Sequence, residues 1–133
     1  MTGTRYALGV GFRRHCEIDE LVRLVEAGLG AAGLESQAIT WLASIDAKRG
    51  ASQLDALAAR FGWNVELWPA ERLAATPGVH QHSRLASRLL GSPSVAEAAA
   101  LASLSERGLE SPSLRLATQR SPAATVAIAE ACG

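Results

Sequence analysis

The 133-residue chain holds only two cysteines, Cys16 and Cys132, and a single lysine, Lys48. Two cysteines are too few for a disulfide framework and predict a reducing compartment. An excess of one charge sign is missing as well, since Lys+Arg and Asp+Glu are 13 each. A chain without net charge is not drawn as a whole to nucleic acid or to an anionic membrane, so any anion recognition must be local. No apolar run approaches a membrane span, and Arg13, Arg14, Glu17 and Asp19 interrupt the beginning too early for a signal peptide. A cytosolic protein is expected. The chain also lacks a Gly-x-Ser-x-Gly elbow, a His-Glu-x-x-His helix and a P-loop. His80 and His82 would share one side of an extended segment, but no third ligand lies near them, so neither a metal site nor a cofactor is expected.

What is present is alanine, leucine and arginine, a bias that suggests a GC-rich bacterial genome, arranged in a legible alternation. Tyr6–Val10 is a short apolar run, read as a buried strand. Ile18, Leu21, Val22, Val25 and Leu29 form one helical face, stopped by Gly30 and Gly33. Residues 38–45 read as a second strand, and Leu54, Leu57, Ala58 and Phe61 as a second helix ended by Gly62. Asn64–Trp68 is a third strand closed by Pro69, followed by a helical turn over 70–75 and a loop at 76–78. Residues 83–90 predict a short helix, and Pro93, Ser94 and Glu97 open a longer one that stops at Gly108. Leu114–Gln119 and Thr125–Ala131 flank a turn and read as a C-terminal hairpin. Together these predict one α/β domain over residues 1–133, a three-layer α/β/α arrangement around a mixed sheet of about five strands. The three tryptophans, Trp41, Trp63 and Trp68, are expected in the core.

Three segments could converge on a site. The first is Gly9-Val-Gly-Phe-Arg-Arg14: Gly9 and Gly11 would let a ligand approach the backbone, and Arg13 and Arg14 would offer guanidinium forks at the carboxyl end of a strand. A third glycine would be needed at Arg14 for a dinucleotide fingerprint. The second is Ser44, Asp46, Lys48 and Arg49, at the end of the next strand. The third is Ser92 and Ser94 at a helix start, where free N–H groups favour anions. Each has a plainer explanation. The arginines could touch only solvent or cap a neighbouring helix, Asp46 and Lys48 could form a surface ion pair of little worth, and Ser94 and Glu97 could simply cap their helix. His15, Asp46 and Glu97 are candidate acids or bases. Cys16 is expected to be a packed residue rather than a nucleophile.

In order, Gly9-Val-Gly-Phe-Arg-Arg, Leu42-Ala-Ser-Ile-Asp-Ala-Lys, Gly91-Ser-Pro-Ser-Val-Ala-Glu-Ala-Ala-Ala and Ala124-Thr-Val-Ala-Ile-Ala resemble the CobE family, the stand-alone counterpart of the C-terminal domain of CbiG. The resemblance spans nearly the whole chain. It implies a place in building the corrin ring, with a polycarboxylate corrinoid or precorrin intermediate as partner and other pathway enzymes as further partners. Three roles are compatible with it: a carrier or accessory factor, a hydrolase opening a precorrin lactone, or a module docking on another enzyme. Arg13, Arg14 and Lys48 are its matching basic positions, with Ser44 and Asp46 as their neighbours and Ser94 and Glu97 as the helix-start pair. The family usually carries cysteine where Phe12 stands, a glycine near His15, an acidic residue soon after the lysine, and lysine in the penultimate strand. Those departures bear on a shared mechanism more than on a shared fold.

Overall fold

The buried run Ala7–Val10 lies in the middle strand of a five-stranded sheet, which explains why it is apolar without alternation. The computed structural model describes residues 3–76 and 94–132. In chain order these form β1 (Thr4–Phe12), α1 (Ile18–Ala32), β2 (Ile39–Ile45), α2 (Ser52–Phe61), β3 (Asn64–Trp68), α3 (Ala70–Ala74), α4 (Ser94–Ser105), β4 (Glu110–Arg120) and β5 (Ala124–Cys132). Strand order is β3-β2-β1-β5-β4. β1 runs parallel to β2 and β2 to β3, whereas β5 is antiparallel to both β1 and β4. The sheet is therefore mixed and ends in the expected hairpin. The predicted helix over 83–90, His80, His82 and Ser92 lie outside the described residues.

Local chemistry accounts for most boundaries. Gly33 and Gly62 close α1 and α2 in the left-handed region at φ 73° and 75°, which glycine adopts without penalty. Gly30, predicted as a stop, is instead inside α1. β4 begins four residues earlier than the apolar pattern suggested, because an edge strand tolerates Pro112 and the accompanying shift in register.

The two faces of the sheet are covered differently. α1 and α2 pack on one face against Leu8, Val10, Phe12, Leu42, Val126 and Ile128. α4, assisted by α3, covers the other, where Ala7, Ala43, Ala129 and Ala131 meet Val95, Ala98, Ala99, Ala100, Leu101 and Ala102. A Cβ on Gly9 would lie 2.0 Å from the Ala96 carbonyl oxygen, so the helix backbone rests directly on β1. Glu97 is buried and accepts hydrogen bonds from the Thr118 amide at 2.9 Å and its hydroxyl at 2.8 Å, tying α4 to β4. Trp63 is core, as expected, its indole N–H donating to the Ser36 carbonyl at 2.9 Å. Trp41 and Trp68 are only half-buried: Arg107 stacks 3.9 Å from the Trp41 ring centre, and Trp68 donates to the Ser103 hydroxyl at 2.9 Å.

Candidate functional site

β1 and β2 are parallel, so their carboxyl ends open at the same sheet edge, where open α/β sheets take ligands. Their paired register runs from Tyr6↔Ile39 to Gly9↔Ala43. Past that point Ser44 takes over, its hydroxyl donating to the Val10 carbonyl at 2.8 Å. The chain then turns through a 3₁₀ segment, Asp46–Lys48, and enters α2 after Gly50 and Ala51. Between this turn and the β1–α1 loop is a cleft of about 370 Å³ lined by Phe12, Arg14, Ala47, Lys48, Arg49, Gly50, Ala51 and Gln53.

Two side chains fix its shape. Gln53, in the first turn of α2, donates its amide to the Arg14 carbonyl at 2.7 Å and to the Cys16 carbonyl at 3.0 Å. That clamp holds the β1–α1 loop against α2. Phe12, buried beneath the cleft, carries the Lys48 ammonium 4.8 Å from its ring centre, a cation–π contact that steadies a flexible side chain. Partial burial, and after it repulsion from Arg14, holds the Lys48 pKa below its usual 10.5. Among the described residues, the ion pairs are Arg72–Glu106, Arg107–Glu66 and Arg115–Glu130, and none involves Arg13, Arg14, Lys48 or Arg49. Three cations thus line one cleft, and among the described residues none of them has a carboxylate ion-pair partner.

The remaining candidates have other places. Gly9 is sealed under α4 and cannot line a ligand, since the space a Cβ would need belongs to the Ala96 carbonyl. Gly11 is half-exposed but faces Val95 of the same helix and the Thr125 hydroxyl. These glycines serve the close packing of α4 rather than an anion lip. Ser44 is fully buried and its hydroxyl is spent on Val10. Arg13 is exposed, with its amide bonded to the Ala123 carbonyl at 2.9 Å beside the hairpin turn, and is not in the cleft lining. Asp46 does not pair with Lys48; its backbone carbonyl closes the 3₁₀ turn by accepting from Arg49 at 2.9 Å. His15 is exposed outside the lining, and Glu97 is on the opposite face of the sheet. α4 starts at Ser94 near Gly11, at the same edge but on that opposite face. Cys16 is buried, as expected of a packed residue, and burial first, then the nearby Glu20 and Glu17, raises its thiol pKa.

Sequence reasoning missed Gln53 and Phe12 as parts of the cleft. The position of Gln53 in the first turn after Lys48 and Arg49 was the available signal, but a polar residue there is usually only solvated. Among the described residues no group of histidine, cysteine and carboxylate side chains could hold a metal ion, and no helix is long and apolar enough to cross a membrane.

Comparison with known proteins follows the same outline. The crystal structure of CobE, a protein from the cobalamin (vitamin B12) biosynthetic pathway, superposes with a TM-score of 0.78 at 30% identity, covering 96% of this chain and 90% of that one. Cobalamin biosynthesis protein ChiG from Agrobacterium tumefaciens str. C58 gives 0.68 at 27% identity, covering 93% and 96%. A putative cobalamin biosynthesis protein G homolog from Sulfolobus solfataricus shares the fold with a TM-score of 0.71 at 20% identity, and this chain spans 37% of it. No curated protein sequence matches the chain. The family model for the cobalamin synthesis G C-terminus matches residues 6–129, and with nearly the whole domain accounted for, the chain belongs to that cobalamin biosynthesis family.

Proposed function

We propose that this protein binds a polycarboxylate corrinoid or precorrin intermediate at the cleft between the β1–α1 and β2–α2 loops, as a carrier or accessory factor. The observation that carries this reading is the set of Arg14, Lys48 and Arg49 around one cleft, all without a carboxylate partner among the described residues. Intermediates of this kind are large, flat and ringed with acetate and propionate arms, and the cations match that rim. Guanidinium forks suit carboxylates in two-point contact, while the half-buried ammonium of Lys48 acts as a point charge in a drier setting. Among the described residues the cleft lining holds cations and an amide but no carboxylate or imidazole, which favours binding over hydrolysis.

Isothermal titration of a corrin carrying free carboxylate arms, such as cobyrinic acid, tests the reading. A charge-assisted hydrogen bond contributes about 1.5–3 kcal/mol, so Arg14→Ala/Lys48→Ala is expected to bind at least roughly a hundredfold more weakly than wild type. Equal affinity of the two proteins would sink the assigned site.

A further inference from the structure

The cleft is too small for the ligand class just named, and its size indicates which part of that ligand enters. About 370 Å³ is near the lower end of the roughly 300–1,000 Å³ that accommodates a drug-sized molecule. A macrocycle of four rings with all its carboxylate arms is larger than such a molecule. The cations are also graded in depth. Lys48 is half-buried on the Phe12 ring, whereas Arg14 and Arg49 are exposed at the mouth. One carboxylate can therefore meet the ammonium inside while a second, tethered a few bonds away, meets a guanidinium at the rim. Gly50 and Ala51 complete the lining where the chain enters α2, the Ala51 amide donating to the Lys48 carbonyl at 3.0 Å.

Resting on the proposed binding function, we infer that the cleft is a dicarboxylate subsite: it takes the adjacent acetate and propionate arms of one ring, and the macrocycle stays outside against the sheet edge. Recognition is of the free acids. An amide arm would leave Lys48 and the arginines uncompensated, so any step that amidates these arms must follow release from this protein.

The test uses pimelate, whose two carboxylates are separated by the same number of bonds as adjacent acetate and propionate arms on one ring. Binding is followed in the intact protein by the backbone amide signals of Gly50 and Ala51, with the rest of the amide spectrum reporting that each variant is folded. Pimelate is expected to shift those two signals, and Lys48→Ala and Arg14→Ala each to weaken it about tenfold, the loss of one charged contact. Pimelamide should not bind. If pimelamide or inorganic phosphate binds as well as pimelate, the dicarboxylate subsite is overturned, and the cleft is a general polar or anion site. Cobyrinic acid is then added in competition. Binding of the corrin that pimelate does not displace would refute the subsite and leave the binding function standing. Pimelate binding with no corrin binding would refute the function and leave the subsite.

Discussion

The two faces of this sheet use the same strands and solve the packing problem in opposite ways. Toward α1 and α2 the strands offer Leu8, Val10, Phe12, Leu42, Val126 and Ile128, and the gap is filled by large side chains. Toward α4 they offer Ala7, Gly9, Ala43, Ala129 and Ala131, and the gap is closed by bringing the helix backbone down onto the sheet. The first solution leaves an edge. Where the large side chains end, at Phe12, the β1–α1 and β2–α2 loops stand apart and the cleft opens. The second leaves no such space beside Gly9. A Gly-x-Gly pair can thus be fixed by one face of a strand while the candidate ligand site belongs to the other.

The tightest contact between α4 and the sheet is at Gly9. Gly9→Ala puts a methyl 2.0 Å from a backbone oxygen that cannot rotate away, so α4 must lift. Unfolding by urea is expected to show a loss of at least about 4 kcal/mol, or no folded protein at all. Leu57→Ala, in the opposite core, removes fully buried volume and should cost about 3 kcal/mol, with the neighbours relaxing partly into the hole. If Gly9→Ala proves the milder of the two, the close-contact account of the α4 face is wrong.

At the cleft, Arg14→Ala sharpens the electrostatic side. Lys48 is the only lysine in the chain, so its side-chain NMR signal can be titrated without competing resonances. Removing Arg14 deletes a like charge that lowers the Lys48 pKa, and that pKa should rise in the variant while staying below 10.5, since burial remains. The sign follows for stability too. An unfolded chain binds the Lys48 proton more tightly than the folded one, so this group adds stability as pH rises from its folded pKa toward 10.5, and less so in Arg14→Ala. An unchanged Lys48 titration would separate the two cations and dissolve the cluster.

The smallest effect is expected at Glu20, which pins α1 to the hairpin turn near Arg13. Its carboxylate accepts from the Ser121 hydroxyl and, at 2.8 Å, from the Ala123 amide. Those bonds, led by Ser121, lower its pKa below 4.5. The stabilisation is complete above pH 4.5 and fades as pH falls through the lowered value. Glu20→Gln should therefore lower stability slightly at neutral pH and flatten the acid limb of a stability–pH curve below 4.5, the two proteins converging as pH falls. An acid limb as steep as that of wild type would exclude Glu20 as its source.

Much of the fold was legible because local rules and burial agree. Asn64–Trp68 ends at Pro69, and α2 ends at Gly62, as their residue types dictate. The site was legible in part. Lys48 and Arg14 could be named because cations after consecutive parallel strands must share a sheet edge. Ser44 and Glu97 were polar residues that suggested chemistry, yet both are buried and hydrogen-bonded to neighbouring strands. Sequence shows that such a side chain needs partners; it does not show that the protein already supplies them.

Strand and helix order, the mixed α/β class and the local character of any anion binding follow from periodicity, caps and charge balance, which are one-dimensional properties. Which layer each side of β1 serves is set by three-dimensional packing. Side-chain parity assigns Gly9 to α4 and Phe12 to the cleft, but which helix covers which face follows from how all five strands pack together, and no local pattern encodes that.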